Sequence, residues 1–197
     1  DAPSEYNTNY HPSQKAHGKV LTFGLGIGYF LWFVLDNPTV EEVTVIEKNE
    51  AVLSMFQRFI YPQFPQKKKV HFLLGNAFDY FQESYLKNFD YVYTDIWKST
   101  NDGLFLIEKL LEQMDLPLEK GDFWIEESCY EMMWTLSFWY FYSLYTGDPF
   151  QVNEKYQGLY KKIQLYYNQI NETLDEEKIK FYMYDTQTIR HILHQQR

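Results

Sequence analysis

Cysteine occurs once in the 197 residues, at Cys129, so the chain cannot close a disulfide on itself, and a reducing, cytoplasmic compartment is expected. No His lies near Cys129 in sequence to activate it, and the thiol reads as a buried structural one. Positive charge is also scarce. Eighteen Lys and Arg face 27 Asp and Glu, a net charge of −9, which argues against a nucleic-acid partner, because phosphate binding draws on clustered cations. The one basic run, Lys67-Lys68-Lys69, lies between Pro65 and the apolar run that starts at Val70, and reads as a solvated loop. Long hydrophobic runs are missing too. Val20 to Leu35 has 16 residues and Met132 to Tyr145 has 14, both short of the roughly 20 needed to span a bilayer, so both are expected as core elements and no membrane segment is expected. The N-terminal stretch is acidic, contains proline, and carries no signal-peptide pattern. A metal site is not expected: His191 and His194 share an i, i+3 spacing, but without Cys or a carboxylate pair beside them they read as an exposed helix end.

What is present is a large apolar and aromatic content: 45% hydrophobic residues, with 18 Tyr and 16 Phe. A chain of this length and composition buries roughly 70% of its unfolded surface and folds around a real core. Its organising stretch is Lys19 to Glu47. Val20 to Phe23 reads as a buried strand, Gly24, Gly26 and Gly28 follow at alternate positions, and Tyr29 to Leu35 is an apolar helix. A second strand, Val43 to Ile46, ends at Glu47, 23 residues beyond Gly24. In a βαβ unit both strand ends lie on one edge of the sheet, so the glycine turn and the carboxylate are expected above one crevice. Glycine permits positive φ and close approach of a ligand to the main chain, and an ionised carboxylate can accept both hydroxyls of a ribose.

Further along, the pattern repeats. Residues 1–18 lack periodicity and are expected as loop with a turn of helix near Ser13 to His17. Asp36-Asn37-Pro38 stops the first helix; Asn49 caps a helix from Glu50 to Tyr61, which Pro62 and Pro65 end. Strands are expected at Val70 to Leu74, Phe89 to Asp95 and Asp122 to Glu127, with a helix from Gly103 to Met114 before the last. Five strands alternating with helices imply an α/β fold with a parallel sheet, and right-handed crossovers bring the polar tips together: the three glycines, Glu47, Asn76, Asp95, Glu126 and Glu127. After strand five the chain turns helical and aromatic, with helices at Tyr130 to Tyr145, Asn153 to Asn171 and Thr186 to His194, and with Lys178 to Tyr184 readable as strand or helix. The first of these reads as a core or subunit-packing helix, which leaves association into a homo-oligomer open.

VLTFGLGIG, then VTVIE, then LLGNAFDYF, then FDYVYTD resembles the motif series of class I S-adenosylmethionine-dependent methyltransferases, more narrowly their spermidine-synthase-like branch, over residues 18–128. The resemblance implies a Rossmann-like, doubly wound, mainly parallel sheet of strand order 3-2-1-4-5. It also implies an N-terminal segment 1–18, a cofactor-binding core 19–128 and a helical extension 129–197 packed on it. Carried over by position, it places Gly24, Gly26 and Gly28 along the methionine part of S-adenosylmethionine and Glu47 on the ribose hydroxyls. Asn76 stands where the family has an Asp that accepts from the adenine amino group, with the Ala77 N–H facing the ring; an amide oxygen can still accept that bond. Asp95, at the tip of strand four, is the position that reaches cofactor and substrate, orienting or deprotonating a nucleophile, and Tyr29, Trp97 and Trp134 are candidate walls for the sulfonium.

The implied activity is methyl transfer to a small-molecule or protein acceptor. Aminopropyl transfer is the related alternative, but that pattern has a second acid three residues after the strand-four Asp, where this chain has Lys98, and residues 1–18 hold no counterpart of its N-terminal hairpin domain. A different class is a non-catalytic, methyltransferase-like partner domain, for which the Asn76 departure speaks.

Overall fold

A computed structural model describes residues 2–65 and 68–196. The chain divides into two units, one comprising residues up to Ser99 together with Leu116–Ile125, the other Thr100–Asp115 together with Glu126 onward.

The first unit holds a five-stranded, all-parallel sheet: β1 (Gly18–Phe23), β2 (Val40–Glu47), β3 (Lys69–Leu74), β4 (Tyr91–Thr94) and β5 (Gly121–Phe123), in spatial order β3-β2-β1-β4-β5. This is the Rossmann-like α/β fold that the motif order implies. All four residues of β4 and the last four of β1 are buried, the signature of strands covered on both faces, which is why their sequence is apolar without alternation. Phe23 pairs with Ile46 on one side and Thr94 on the other, and the ladder runs one step past the strand ends: Gly24 N–H donates to Ile46 O at 2.9 Å, Asp95 N–H to Phe23 O at 2.8 Å, and Trp124 N–H to Thr94 O at 2.8 Å. Five strand tips therefore sit on one edge, and strand order reverses between β1 and β4, where open α/β sheets bind ligands.

Helix α1 (Ala2–Lys15) occupies the segment expected as loop. Its sequence has no apolar period and carries Pro12, so propensity alone gives no helix; side-chain contacts hold it. Tyr6 and Tyr10 set their rings edge-on to Phe33, 4.9 and 5.5 Å away, in α2 (Tyr29–Asp36). Asn37, just past α2, donates from Nδ2 to the carbonyls of Ser13 and Ala16 and so fastens the end of α1. Asn49 caps α3 (Glu50–Met55) by accepting from Ala51 and Val52 N–H. The expected helix to Tyr61 does not stay α: it widens to a π turn at Phe56–Ile60 and tightens to a 3-10 turn at Tyr61–Gln63 before Pro65. Two short helices, α4 (Ala77–Tyr80) and α5 (Glu83–Leu86), link β3 to β4.

The basic run is not a solvated loop throughout. Lys67 lies outside the described residues, and Lys69 opens β3. Lys68 Nζ donates to the carbonyls of Val34 and Asn37, the C-terminal end of α2, where a cation meets the negative end of the helix dipole.

The second unit is helical: α6 (Thr100–Gln113), α7 (Glu126–Cys129), α8 (Glu131–Thr146), α9 (Gln157–Asn168), α10 (Glu176–Tyr184) and α11 (Thr186–His194). Residues 178–184, ambiguous in sequence, are helix, and α9 is shorter at both ends than its aromatic pattern. Two buried ion-pair groups organise the unit. The Arg190 guanidinium, fully buried, grips Glu126 with Nε to Oε1 at 2.7 Å and Nη2 to Oε2 at 2.6 Å, and Tyr130 donates its hydroxyl to the same carboxylate at 2.7 Å. Lys162, also fully buried, meets Glu108 at 3.0 Å, Glu112 at 2.6 Å and the Leu193 carbonyl at 2.9 Å. Cys129 is buried, and desolvation, then the neighbouring Glu126 charge, push its thiol up to about 12. Aromatic α8 packs through Tyr140, which stacks on Tyr167 at 5.7 Å and donates to Asn168 at 2.8 Å. Among the described residues no helix is long and apolar enough to cross a membrane, and no group of three or more His, Cys, Asp or Glu is placed to hold a metal ion. His191 lies 3.7 Å from Asp115, while His194 bonds the Leu111 carbonyl at 2.6 Å.

Candidate cofactor site and the cavity beside it

The bend between β1 and α2 has three glycines with φ of +84°, +52° and +91° at Gly24, Gly26 and Gly28. Two of them are needed for space as well as for φ. A Cβ on Gly24 would overlap the Asp95 carbonyl oxygen, and one on Gly28 would fall 2.6 Å from the Phe56 ring. The strand-four tip and the turn after α3 are thus pressed against the bend from either side. Gly26 is exposed, and a Cβ there would lie 3.5 Å from Asp95 Oδ2, so the strand-four carboxylate faces the bend across a narrow gap.

Glu47 meets the same bend from β2. Its Oε2 accepts the Leu25 N–H at 3.1 Å and its Oε1 accepts the Asn49 N–H at 2.7 Å. Each oxygen keeps a second lone-pair site, so the group retains half its accepting capacity. Next along the edge, the Gly75 N–H donates to the Glu47 carbonyl at 3.0 Å, and Asn76 follows as the cap of α4, its Oδ1 accepting the Phe78 N–H at 3.2 Å. That use of the amide oxygen leaves one lone-pair site for any further donor. Ala77 is buried in the first turn of α4.

On the β4 side of the bend lies a cavity of about 310 Å³, within the size range of small-molecule sites. Its walls include Tyr29, Tyr93, Asp95, Trp97 and Trp124, with Lys98 at its edge. Helix α1 closes one side: the Tyr93 hydroxyl donates to Asn9 Oδ1 at 2.9 Å and the Trp124 indole N–H to Thr8 Oγ1 at 3.0 Å. Burial first, then the negative charges of Asp95 and Asp122, hold the Tyr93 phenol well above its ordinary value, so it stays a donor to Asn9. Among the described residues, the buried Trp97 indole N–H has no hydrogen-bond partner.

Of the residues marked from sequence, Gly24, Gly26, Gly28 and Asp95 border this cavity, Glu47 touches the bend from the far side, and Asn76 and Ala77 follow along the edge toward β3. Tyr29 and Trp97 line this cavity, whereas Trp134 belongs to the second unit, where its ring meets Tyr184 at 5.2 Å. Glu126 and Glu127 are not strand tips. Strand β5 stops at Phe123, Ile125 takes a left-handed φ of 47°, and both acids fall in α7 of the second unit, with Glu126 held by Arg190. Among the wall residues that escaped the sequence reading are three with polar atoms bonded at the cavity's side, Tyr93, Trp124 and Asn9. Tyr93 and Trp124 stand in or just beyond buried strands and look like core, and Asn9 lies in the helix that the sequence did not announce.

Among solved structures, the chain is similar to PKMT2 from Rickettsia typhi. In the structure in complex with AdoHcy the match has 16% identity and a TM-score of 0.36, and it covers 87% of this chain and 33% of that one. A second structure of PKMT2 matches at 15% identity and a TM-score of 0.31, covering 92% of this chain and 38% of that one. The chain thus spans about a third of the length of these proteins. No family model and no curated protein matches it.

Proposed function

We propose that the first unit binds S-adenosylmethionine across the tips of β1, β2 and β3 and directs methyl transfer to a small-molecule or protein acceptor in the cavity beside Asp95. The observation that carries this reading is the meeting of Glu47 with the glycine bend. A carboxylate fixed by two backbone N–H groups is held in one orientation, and its remaining lone pairs suit a ribose diol. Asn76 has one lone-pair site left for the adenine amino group, so that end of the site is weaker than a carboxylate would make it.

When bound, the cofactor supplies an already activated sulfonium methyl. The protein's task is then to hold the acceptor in line, and orientation of this kind is worth roughly 7–11 kcal/mol. In this reading Asp95 takes the proton of an O–H or N–H acceptor, adding about 10²–10⁴-fold. Tyr29 and Trp97 present rings to the cavity, where a cationic centre gains about 0.5–2 kcal/mol. Lys98 at the cavity edge disfavours a diamine, and with it aminopropyl transfer.

Calorimetric titration with S-adenosylhomocysteine tests the reading: saturable binding supports it, and no binding leaves the non-catalytic partner domain instead. With an acceptor in hand, Asp95→Asn is expected to keep the affinity for S-adenosylhomocysteine within about twofold and to slow transfer by the 10²–10⁴ of a lost base. Equal turnover would reduce Asp95 to a structural residue.

A further inference from the structure

A second cavity, of about 280 Å³, opens on the outer side of the glycine bend. Its walls are rings: Tyr6 from α1, Trp32 and Phe33 from α2, and Phe64 from the turn before β3. Among the described residues, none of the side chains lining it carries a charge. The rings are set by their neighbours. Trp32 stands edge-on to Phe64 at 4.9 Å and Tyr6 edge-on to Phe33 at 4.9 Å, the geometry in which aromatic pairs are most favourable. Yet the slot leaves much of this surface in water, with Trp32 41%, Tyr6 47% and Ile27 58% exposed. Large apolar side chains clustered and exposed at one place mark a binding surface.

The two cavities share Ile27, Gly28 and Tyr29 in their walls, so they adjoin at the glycine bend. Their chemistry is divided: the inner cavity has Asp95 and Lys98, and the slot is lined by five rings with Ile27 and Gly28. We propose that the slot holds the ring of a small, flat aromatic acceptor, a phenol or an aryl amine, whose single nucleophilic group enters the inner cavity beside Asp95. The proposal rests on the methyl-transfer reading above. In the transfer the acceptor O–H or N–H gives its proton to the Asp95 carboxylate. The freed lone pair forms the bond to the methyl carbon, and the C–S pair returns to sulfur, leaving a neutral thioether. A diamine does not fit, because its far ammonium would enter the slot with no carboxylate to meet it. A lone methylammonium head also matches poorly, since a slot of about 280 Å³, just under the small end of small-molecule sites, is far larger than such a head.

The test uses the 197-residue chain and three probes, 2-naphthol, putrescine and tetramethylammonium, each titrated by calorimetry with and without saturating S-adenosylhomocysteine. The expected result is saturable binding of 2-naphthol alone, weakened at least about tenfold by Trp32→Ala, while the same variant binds S-adenosylhomocysteine as the parent does. Trp32→Leu, which keeps most of the apolar volume against Phe64, guards against a folding defect and is expected to weaken 2-naphthol in the same direction. Unsaturable 2-naphthol, affinity untouched by both variants, or tighter binding of either cation overturns the aromatic slot. If S-adenosylhomocysteine binds and 2-naphthol does not, methyl transfer stands and the slot falls. If 2-naphthol binds in a Trp32-dependent way and S-adenosylhomocysteine does not bind, the transferase reading falls and takes the acceptor role with it.

Discussion

Glu126 and Glu47 are both carboxylates held at fixed places, but the two units hold them by different means. In the helical unit Glu126 is met by a fully buried guanidinium through two bonds of 2.6 and 2.7 Å and by a tyrosine hydroxyl, so its charge is cancelled and most of its lone pairs are used. In the sheet unit Glu47 is met by two backbone N–H groups and stays half-buried at the edge where the strands end. The first arrangement fixes helices; the second presents a charge. The contrast separates an acid that holds the fold from the acid proposed to hold a ligand, and each half of it can be broken by a substitution.

Removing one partner of a buried pair strands the other, so Glu126→Gln is expected to destabilise the protein by about 3–5 kcal/mol in urea unfolding. Replacing both partners, Glu126→Leu with Arg190→Met, is expected to recover most of that loss, since a buried pair is worth little against well-packed apolar residues. A loss below about 1 kcal/mol in the single variant would mean that water reaches Arg190 and the contrast is false.

Cys129 sharpens the same side of the comparison. With its thiol pushed up to about 12, native Cys129 is expected to react with a thiol reagent at pH 8 on the order of a thousandfold more slowly than in the unfolded chain. Because the folded value lies above the unfolded one, this thiol's contribution to stability is complete below about pH 8.5 and is lost as pH rises toward 12. Reaction at the unfolded rate would show the thiol to be open to solvent.

On the sheet side, Glu47→Ala is expected to weaken S-adenosylhomocysteine by about 10–100-fold, the worth of one or two charge-assisted bonds, with Glu47→Gln in between. Its effect on the unfolding midpoint is expected to be smaller than that of Glu126→Gln, because it strands no buried charge: of the two N–H groups it releases, that of Asn49 is exposed and that of Leu25 is part-buried. The smallest effect is expected at Lys68. Lys68→Ala removes a cation from the carbonyls at the end of α2 and should cost about 0.3–1 kcal/mol without changing ligand affinity.

The sheet and half of the site were legible because their signals are local. The run from Val20 through the glycines to Glu47 encodes strand, bend, helix and strand within about thirty residues, and the acid falls at the bend because parallel strands share an edge. Helix α1 was not legible: Pro12 and the polar Asn and Ser residues argue for loop, and what overrides them are contacts to Phe33, Tyr93 and Trp124 that are distant in sequence. The acids after strand five were misplaced for a different reason. Ile125 adopts a left-handed φ, which a β-branched residue rarely takes, and that turn ends the strand and sends Glu126 to Arg190, 64 residues away. The aromatic slot was hidden because its rings come from α1, α2 and the turn at Phe64, three stretches that each read as ordinary packing.

The most direct test of the central claim is a crystal structure of the protein with S-adenosylhomocysteine. The account predicts both ribose hydroxyls within about 3 Å of the Glu47 oxygens and the sulfur turned toward the cavity beside Asp95 and Trp97. A nucleoside bound elsewhere, or one whose ribose leaves Glu47 untouched, would contradict it.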